Sequence, residues 1–249
     1  MEPRRIQDNV RIFNTPEDVA LAAADELVAY AREAIADHEW FGVALAGGNT
    51  PRRVYELLGS DPHKKLIEWS RVHLFFGDER CVPPVHPDSN YRMVYEALVS
   101  NVEIPEGNVH RIVGENDPPA GAAAYEQELR RFFTAASLPR FDLVLLGMGE
   151  DGHTASLFPK SDALKEQSKW VVATQNLQSQ QDRISLTLPA LNHAAHVLFL
   201  ITGSNKATRL SEVLRIESGP EPLPAQLISP VQGTLEWLID RAAASQLSS

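Results

Sequence analysis

The residues with the clearest chemical potential lie at 147–159, in the stretch GMGEDGHTASLFP. This stretch follows an apolar run at 141–146 and combines three glycines with the side chains of Glu150, Asp151 and His153. Glycines after a buried strand indicate either a tight turn or a backbone that approaches a ligand closely. From these residues alone, the loop could bind a phosphate, hold a catalytic histidine or simply connect a strand to a helix.

His153 is the residue of this loop best suited to catalysis. It is predicted near the start of a helix, where the positive end of the helix dipole favours a neutral imidazole. A neutral imidazole can act as a general base that removes a proton from water attacking a carbonyl carbon. Asp151, two residues earlier, could orient the ring. A metal site is the alternative, but the sequence has no HExxH motif, paired cysteines or second histidine at ligand spacing, so we predict no metal.

A second glycine loop, AGGNTP at 46–51, follows another apolar run. Gly47 and Gly48 would let the backbone approach an anion, which the N–H groups at the start of the next helix would also face. Asn49 and Thr50 add hydrogen-bonding side chains at the same place. The pattern predicts a phosphate-binding loop, and the alternative is an ordinary strand–helix turn in which Thr50 caps the helix.

Three cationic residues are predicted near the ends of strands. Arg80 closes the stretch FFGDER two residues after Asp78, Arg183 opens RISLTLPAL, and Lys206 lies in GSNKA. Each could bind a phosphate or a carboxylate. The alternative for each is an ordinary exposed charge, and Arg80 could pair with its acidic neighbours. Their coincidence with two glycine loops and a histidine favours a phosphorylated small molecule with a hydrolysable centre.

The elements that must position these residues alternate between apolar runs, which predict strands, and segments of helical period. The predicted strands are 41–46, 72–76, 141–146, 170–173, 183–186 and 197–201. A first helix begins at Pro16, and the later predicted helices are 52–58, 91–99, 122–136, 189–194, 205–214 and 235–244. The alternation predicts a Rossmann-like α/β fold, with a mostly parallel sheet and helices on both faces, in a single domain spanning 1–249. Ligands of such sheets bind beyond the carboxyl ends of the strands, so all four loops should meet at one rim.

Composition excludes several classes of partner. The chain of 249 residues has a formal net charge of −10, so it lacks the broad positive surface that nucleic acids or anionic membranes attract. Its single cysteine, Cys81, fits a reducing compartment. No apolar run is long enough to span a membrane, and no secretory signal is recognisable at the N-terminus. We expect a cytoplasmic protein that binds neither nucleic acid nor membranes.

Five blocks of the sequence together resemble the 6-phosphogluconolactonase family, within the glucosamine/galactosamine-6-phosphate isomerase-like superfamily. The blocks are AGGNTP at 46–51, GDER at 77–80 followed by DSN at 88–90, GMGEDGHTASLFP at 147–159, RISLTLPALN at 183–192 and GSNKA at 203–207. They occur in the family's order, and DGHTASLFP is the most specific of them. The resemblance implies hydrolysis of 6-phosphogluconolactone to 6-phosphogluconate, the second step of the oxidative pentose phosphate pathway, without a metal or other cofactor.

The resemblance also implies a role for each matching residue. His153 matches the histidine that activates water, and Asp151 matches an acid beside it. The implied phosphate- and substrate-binding residues are Gly47, Gly48, Asn49, Thr50, Asp78, Arg80, Arg183 and Lys206. Two departures stand out: the family's phosphate loop is usually SGGSTP, whereas this chain has Ala46 and Asn49 in place of the serines, and Lys160 replaces a frequent glycine after LFP.

Two other functions fit part of this pattern. A glucosamine-6-phosphate deaminase would use a carboxylate such as Asp78 as its base and His153 to open the sugar ring. Against it, the chain has GDER where that enzyme shows an acid followed by Glu-Tyr, and TASLFP where it shows a different continuation. A non-catalytic sugar-phosphate sensor would keep the cations but would not need His153.

Overall fold

The computed structural model describes residues 9–134, 136–176, 178–215 and 221–247. Its strands are β1 (Val10–Phe13), β2 (Phe41–Leu45), β3 (Val72–Phe76), β4 (Asp78–Arg80), β5 (Leu143–Leu146), β6 (Val171–Asn176), β7 (Gln181–Leu186), β8 (His196–Ile201) and β9 (Thr234–Asp240). Its α-helices are α1 (Pro16–His38), α2 (Asn49–Leu58), α3 (Asn90–Ala97), α4 (Pro118–Phe132), α5 (Leu188–Leu191) and α6 (Ala207–Val213).

Six of these strands form a central sheet in the order β1-β9-β8-β5-β2-β3, and every neighbouring pair is parallel. β2 and β5 are buried along their whole length, as expected of parallel strands with both faces covered. The predicted α/β fold with a mostly parallel sheet is therefore confirmed. Because β2, β3, β5 and β8 run in the same direction, the loops after them begin at the same edge of the sheet.

The start of α1 shows how local sequence fixes an element. The Thr15 hydroxyl accepts a hydrogen bond from the Asp18 N–H at 3.1 Å, and the Asp18 carboxylate accepts one from the Thr15 N–H at 3.0 Å. This capping box, with Pro16 at the first helical position, satisfies N–H groups that have no partner within the helix. The helix buries a face rich in alanine, which lets it approach the sheet closely.

A second sheet has three antiparallel strands in the order β4-β7-β6. It corrects two predictions, because 170–173 and 183–186 were expected in the parallel sheet and 78–80 was expected to be a loop. β6 and β7 pair with each other as a hairpin, and β4 adds to the other side of β7. The connection from Asn176 to Gln181 is too short for the crossover that parallel strands need, whereas β4 joins β7 across a long sequence separation that no local pattern reveals.

The predicted helix at 235–244 is also wrong, because 234–240 is the strand β9, which lies between β8 and β1 in the central sheet. Its short apolar run cannot be distinguished from a buried helix by periodicity alone, and the pairing partners on both sides decide the outcome. β1 was not predicted at all. Within the described ranges, no helix combines the length and the apolar character needed to cross a bilayer.

Candidate active site

A cleft of about 350 Å³ lies at the carboxyl edge of the central sheet. Its lining includes Gly47, Gly48, Asp78, Arg80, Asn90, Gly147, Gly149, His153, Ser156, Asn176, Arg183 and Lys206. The four loops that were expected to share one rim therefore do meet there. Of the predicted site residues, Asn49 and Thr50 are absent from this lining, and Asp151 reaches the cleft only through its contact with His153.

The His153 ring is held by Asp151 at one nitrogen. His153 Nδ1 lies 2.6 Å from Asp151 Oδ1, and the same carboxylate oxygen accepts a hydrogen bond from the His153 N–H at 3.1 Å. Partial burial raises the pKa of the Asp151 carboxyl, but the hydrogen bond and the charge interaction with His153 outweigh it and bring that pKa down to about 2. An ionised Asp151 fixes the proton on Nδ1, so Nε2 keeps the lone pair that a general base requires.

The loop around His153 does not lead into a helix, contrary to the prediction. Residues 151–160 form turns, with a short bridge between Thr154 and Leu157, and Ala155 has a φ of 47°. A positive φ at a residue with a side chain interrupts helical geometry, so no helix dipole acts on His153. The carboxylate of Asp151, rather than a helix terminus, determines which nitrogen of the His153 ring carries the proton.

Glycine is required at position 149 for a steric reason. A Cβ on Gly149 would lie 2.1 Å from His153 Nδ1 and 2.6 Å from Asp151 Oδ1, so any side chain would push the His–Asp pair apart. The loop is closed further by hydrogen bonds from the Gly149 N–H to the His153 carbonyl and from the Thr154 hydroxyl to the Gly147 carbonyl. These contacts make a compact, internally bonded loop that holds the imidazole at the cleft.

The glycine loop after β2 brings main chain rather than side chains into the cleft. Gly48 has a φ of 102° and immediately precedes α2, which begins without a side-chain cap. The departure from serine at Ala46 leaves the loop anchored, because the Tyr55 hydroxyl bonds both the N–H and the carbonyl of Ala46. Thr50 lies 2.7 Å from the Thr202 hydroxyl, and Asn49 lines a neighbouring pocket.

Two arginines face each other across the small antiparallel sheet. Arg80 on β4 is the register partner of Arg183 on β7. The Arg80 guanidinium donates to the Asp88 carbonyl at 2.6 Å, whereas Nε and Nη1 of Arg183 are buried and bond to none of the described residues. Burial and the charge of Arg80 lower the pKa of Arg183. Like charges directly opposite in a sheet are unfavourable, and a bound anion would relieve this repulsion.

Lys206 ends a short 3-10 helix, Ser204–Lys206, that follows β8. Its side chain lines the cleft and forms no ion pair with an acidic residue of the described segments. The turn is held at Gly203, whose N–H donates to the buried carboxylate of Asp240. The position of Lys206 adds a third cation to the cleft.

Asp78 and Glu79 have different surroundings. Asp78 lines the cleft and accepts a hydrogen bond from the Ser156 hydroxyl at 2.6 Å. Glu79 is 2% exposed and points away from the cleft, where its carboxylate accepts from the N–H groups of Asn90 and Tyr91 at the start of α3. Burial raises the pKa of Glu79, and these N–H groups oppose the rise. Glu79 therefore fastens β4, with Arg80, to α3.

The sequence reasoning missed Asn90, Ser156 and Asn176 as parts of the cleft wall. Asn90 lies in the DSN block, which was used only as part of the family resemblance, and Ser156 lies in TASLFP. In both cases, membership of a family motif could have identified the residue as part of the site. Asn176, at the end of β6, carries no comparable signal. Among the described residues, no three His, Cys, Asp or Glu side chains converge as metal ligands would.

Comparison with known proteins shows which family shares this sequence and fold. Residues 14–237 match the family described as glucosamine-6-phosphate isomerases/6-phosphogluconolactonase. The chain is 42% identical over 218 residues to a 6-phosphogluconolactonase of Synechocystis sp., an alignment that covers 86% of this chain and 88% of that protein. The solved structure of a 6-phosphogluconolactonase from Trypanosoma cruzi is 27% identical, with a TM-score of 0.88 and coverage of 100% of both chains.

The chain is therefore an enzyme and belongs to the family of glucosamine-6-phosphate isomerases and 6-phosphogluconolactonases. The resemblance to the 6-phosphogluconolactonases that the motifs predicted is confirmed. A solved glucosamine-6-phosphate deaminase has a TM-score of 0.82 over 96% of this chain and 99% of its own, but at 20% identity this likeness shows only a common fold.

Proposed function

We propose that this chain hydrolyses 6-phospho-D-glucono-1,5-lactone to 6-phospho-D-gluconate, a reaction of the oxidative pentose phosphate pathway. One observation carries the proposal: an imidazole oriented by an ionised carboxylate shares a cleft with an arginine whose buried Nε and Nη1 bond to none of the described residues. The first group suits the attack of water on a carbonyl, and the second suits a phosphate. A lactone that carries a phosphate needs both.

The chemistry follows from the free nitrogen of His153. Nε2 removes a proton from water while the water oxygen bonds to the lactone carbonyl carbon, and negative charge moves to the carbonyl oxygen. Collapse of this tetrahedral species breaks the bond to the ring oxygen, which takes the proton back from the imidazolium. The products are a carboxylic acid and a hydroxyl group, so protons and bonds balance. Asp151 stabilises the imidazolium during the reaction and orients the ring.

The phosphate would contribute orientation rather than bond chemistry. Its three charged oxygens fit the Arg183 guanidinium, the Lys206 ammonium and the main chain of Gly47 and Gly48, all of which line the same cleft. Binding energy from a group remote from the reacting carbon holds the carbonyl near the base, which raises the rate of the chemical step.

The test is His153→Ala, assayed on freshly prepared lactone after subtraction of its uncatalysed hydrolysis. Loss of a general base should reduce kcat by about 10²–10⁴-fold. Calorimetric titration with 6-phosphogluconate should show that binding survives. His193→Asn is the matched control, because the His193 ring lies 3.1 Å from the Pro139 carbonyl and does not line the cleft.

The same preparation tests the deaminase alternative. Wild-type protein that released ammonia from glucosamine 6-phosphate, with no acceleration of lactone opening, would overturn the proposal. A His153→Ala protein that kept kcat within a few-fold of wild type would retain the lactonase but remove the base from the mechanism. Protein that bound 6-phosphogluconate but accelerated neither reaction would be a sensor.

A further inference from the structure

Asn90 lies in the cleft wall, and the mechanism described above does not use it. It is the first residue of α3, it is 2% exposed, and it lines the cleft beside the glycine loop. Its main-chain N–H is already bonded to Glu79 at 2.7 Å. The question is what its side-chain amide does, because a buried amide has both donors and an acceptor to satisfy.

The orientation of this amide is determined by Asp78. The Asn90 Nδ2 group donates to the Asp78 carbonyl at 2.9 Å and to Asp78 Oδ1 at 3.3 Å. Both partners on Asp78 are oxygen acceptors, so only the amide nitrogen can face them. The amide oxygen must therefore point the other way.

The amide oxygen of Asn90 faces Gly47. A Cβ on Gly47 would lie 2.1 Å from Asn90 Oδ1, nearer than to either of the other amide atoms of Asn90. None of the described residues donates a hydrogen bond to this oxygen. This oxygen is not among the fully enclosed polar atoms that lack a partner, so it stays accessible from the cleft and can accept a hydrogen bond from a donor on a bound ligand.

We propose that Asn90 Oδ1 accepts a hydrogen bond from a ring hydroxyl of the bound sugar, which makes Asn90 a specificity residue for a polyhydroxylated substrate. The inference rests on the proposed lactonase function. The donor is a hydroxyl rather than the phosphate, because a phosphate dianion offers only acceptors and would be repelled by a carbonyl oxygen. Gly47 must stay a glycine because a side chain there would occupy the place of the amide.

The experiment pairs one enzyme variant with substrates that lack one hydroxyl each. Wild type and Asn90→Ser are assayed on 6-phosphogluconolactone and on its 2-, 3- and 4-deoxy analogues. A serine hydroxyl can still donate towards Asp78, but its side chain is shorter than that of asparagine and ends before the position of Oδ1. Asn90→Ala provides a second variant, and thermal unfolding shows that each variant is folded. The quantity compared is kcat/KM for each of the three proteins on each of the four substrates.

We expect one deoxy analogue to reduce the wild-type kcat/KM by about three- to tenfold, the effect of one lost hydrogen bond. The same analogue should cause less than a twofold loss in Asn90→Ser, because the interaction is already absent. If all three deoxy losses were the same in the variant as in wild type, the role of Asn90 would be structural and the inference wrong. Wild type that failed to accelerate opening of the parent lactone would instead refute the proposed function.

Discussion

Asp151→Asn is the most informative single change for the proposed chemistry. Asparagine has the shape of aspartate but no charge, and its amide nitrogen can donate to His153 Nδ1. It would then favour the tautomer that carries its proton on Nε2, which cannot accept a proton from water. The substitution thus tests both contributions of the carboxylate, its charge and its control of the tautomer, while the volume of the side chain is preserved.

The size of the effect follows from the contact itself. Burial raises the pKa of Asp151, but the hydrogen bond and charge of His153, with two backbone N–H groups, bring it from 3.8 to about 2, a net effect of about 2.4 kcal/mol. The two side chains are 34% and 30% exposed, so solvent screening reduces this to about 1.2 kcal/mol, or roughly tenfold in rate. The unfavourable tautomer adds a further factor of about ten to a hundred. We expect kcat to fall by about 10²–10³-fold with KM nearly unchanged.

The assay is a pH-stat titration of the acid released as the lactone opens, corrected for the uncatalysed rate. Asp162→Asn is the control, because Asp162 is an exposed aspartate that pairs with Lys165 and lies outside the cleft lining. Thermal unfolding should show similar stability for both variants. If Asp151→Asn kept more than a third of the wild-type kcat, the Asp151 carboxylate would neither control the tautomer of His153 nor stabilise its charged form. The mechanism given above would then be wrong.

Three further predictions concern other parts of the molecule. Gly149→Ala should reduce kcat about 100-fold, because a Cβ there displaces the His153–Asp151 pair. Gly107→Ala is the control: a Cβ at Gly107 meets nothing within 4 Å, so steady-state kinetics should show an unchanged kcat. Arg183→Gln should raise KM for the phosphorylated lactone by about ten- to a hundredfold and leave the rate on unphosphorylated gluconolactone unchanged. Equal effects on both lactones would contradict the role of Arg183 in binding the phosphate. Burial, and then His110, lowers the pKa of His73 from 6.5 to about 4, so the unfolded chain takes up the proton first. Urea unfolding should show that stability falls as the pH drops from about 6.5 towards 4, and the fall should be smaller by about 1–2 kcal/mol in His73→Gln, where other groups such as His196 still contribute.

The sequence was sufficient to predict the central strands and the meeting of the four loops. Strands such as β2 and β5 are continuous apolar runs, and parallel strands bring their carboxyl ends together whatever their order in the sheet. β9 could not be identified in this way, because TLEWLID is as compatible with a buried helix as with a strand. Its state is decided by β8 and β1, which are distant in sequence or not recognisable locally.

The site was predicted in composition but not in arrangement. Motifs identified His153, Asp151, Arg80 and Arg183, and the structure brings these residues to one cleft or into contact with it. The opposition of the two arginines depends on the register between β4 and β7, which no local pattern reveals. Likewise, the need for glycine at position 149 is visible only in the closed loop, where a Cβ would lie 2.1 Å from His153 Nδ1. The roles assigned to these residues stay predictions until the variants are measured.

The cleft is assembled from two separate sheets. The loops of the parallel sheet carry His153 and Lys206, whereas the small antiparallel sheet carries both arginines. The two sheets are linked at Ser156, in the loop that holds His153: its N–H donates to the Ser185 hydroxyl on β7, and its hydroxyl donates to Asp78 on β4. Substitutions in the β6–β7 hairpin that spare Ser185 therefore offer a route for divergence, and for laboratory evolution, towards lactones that carry a different anionic group.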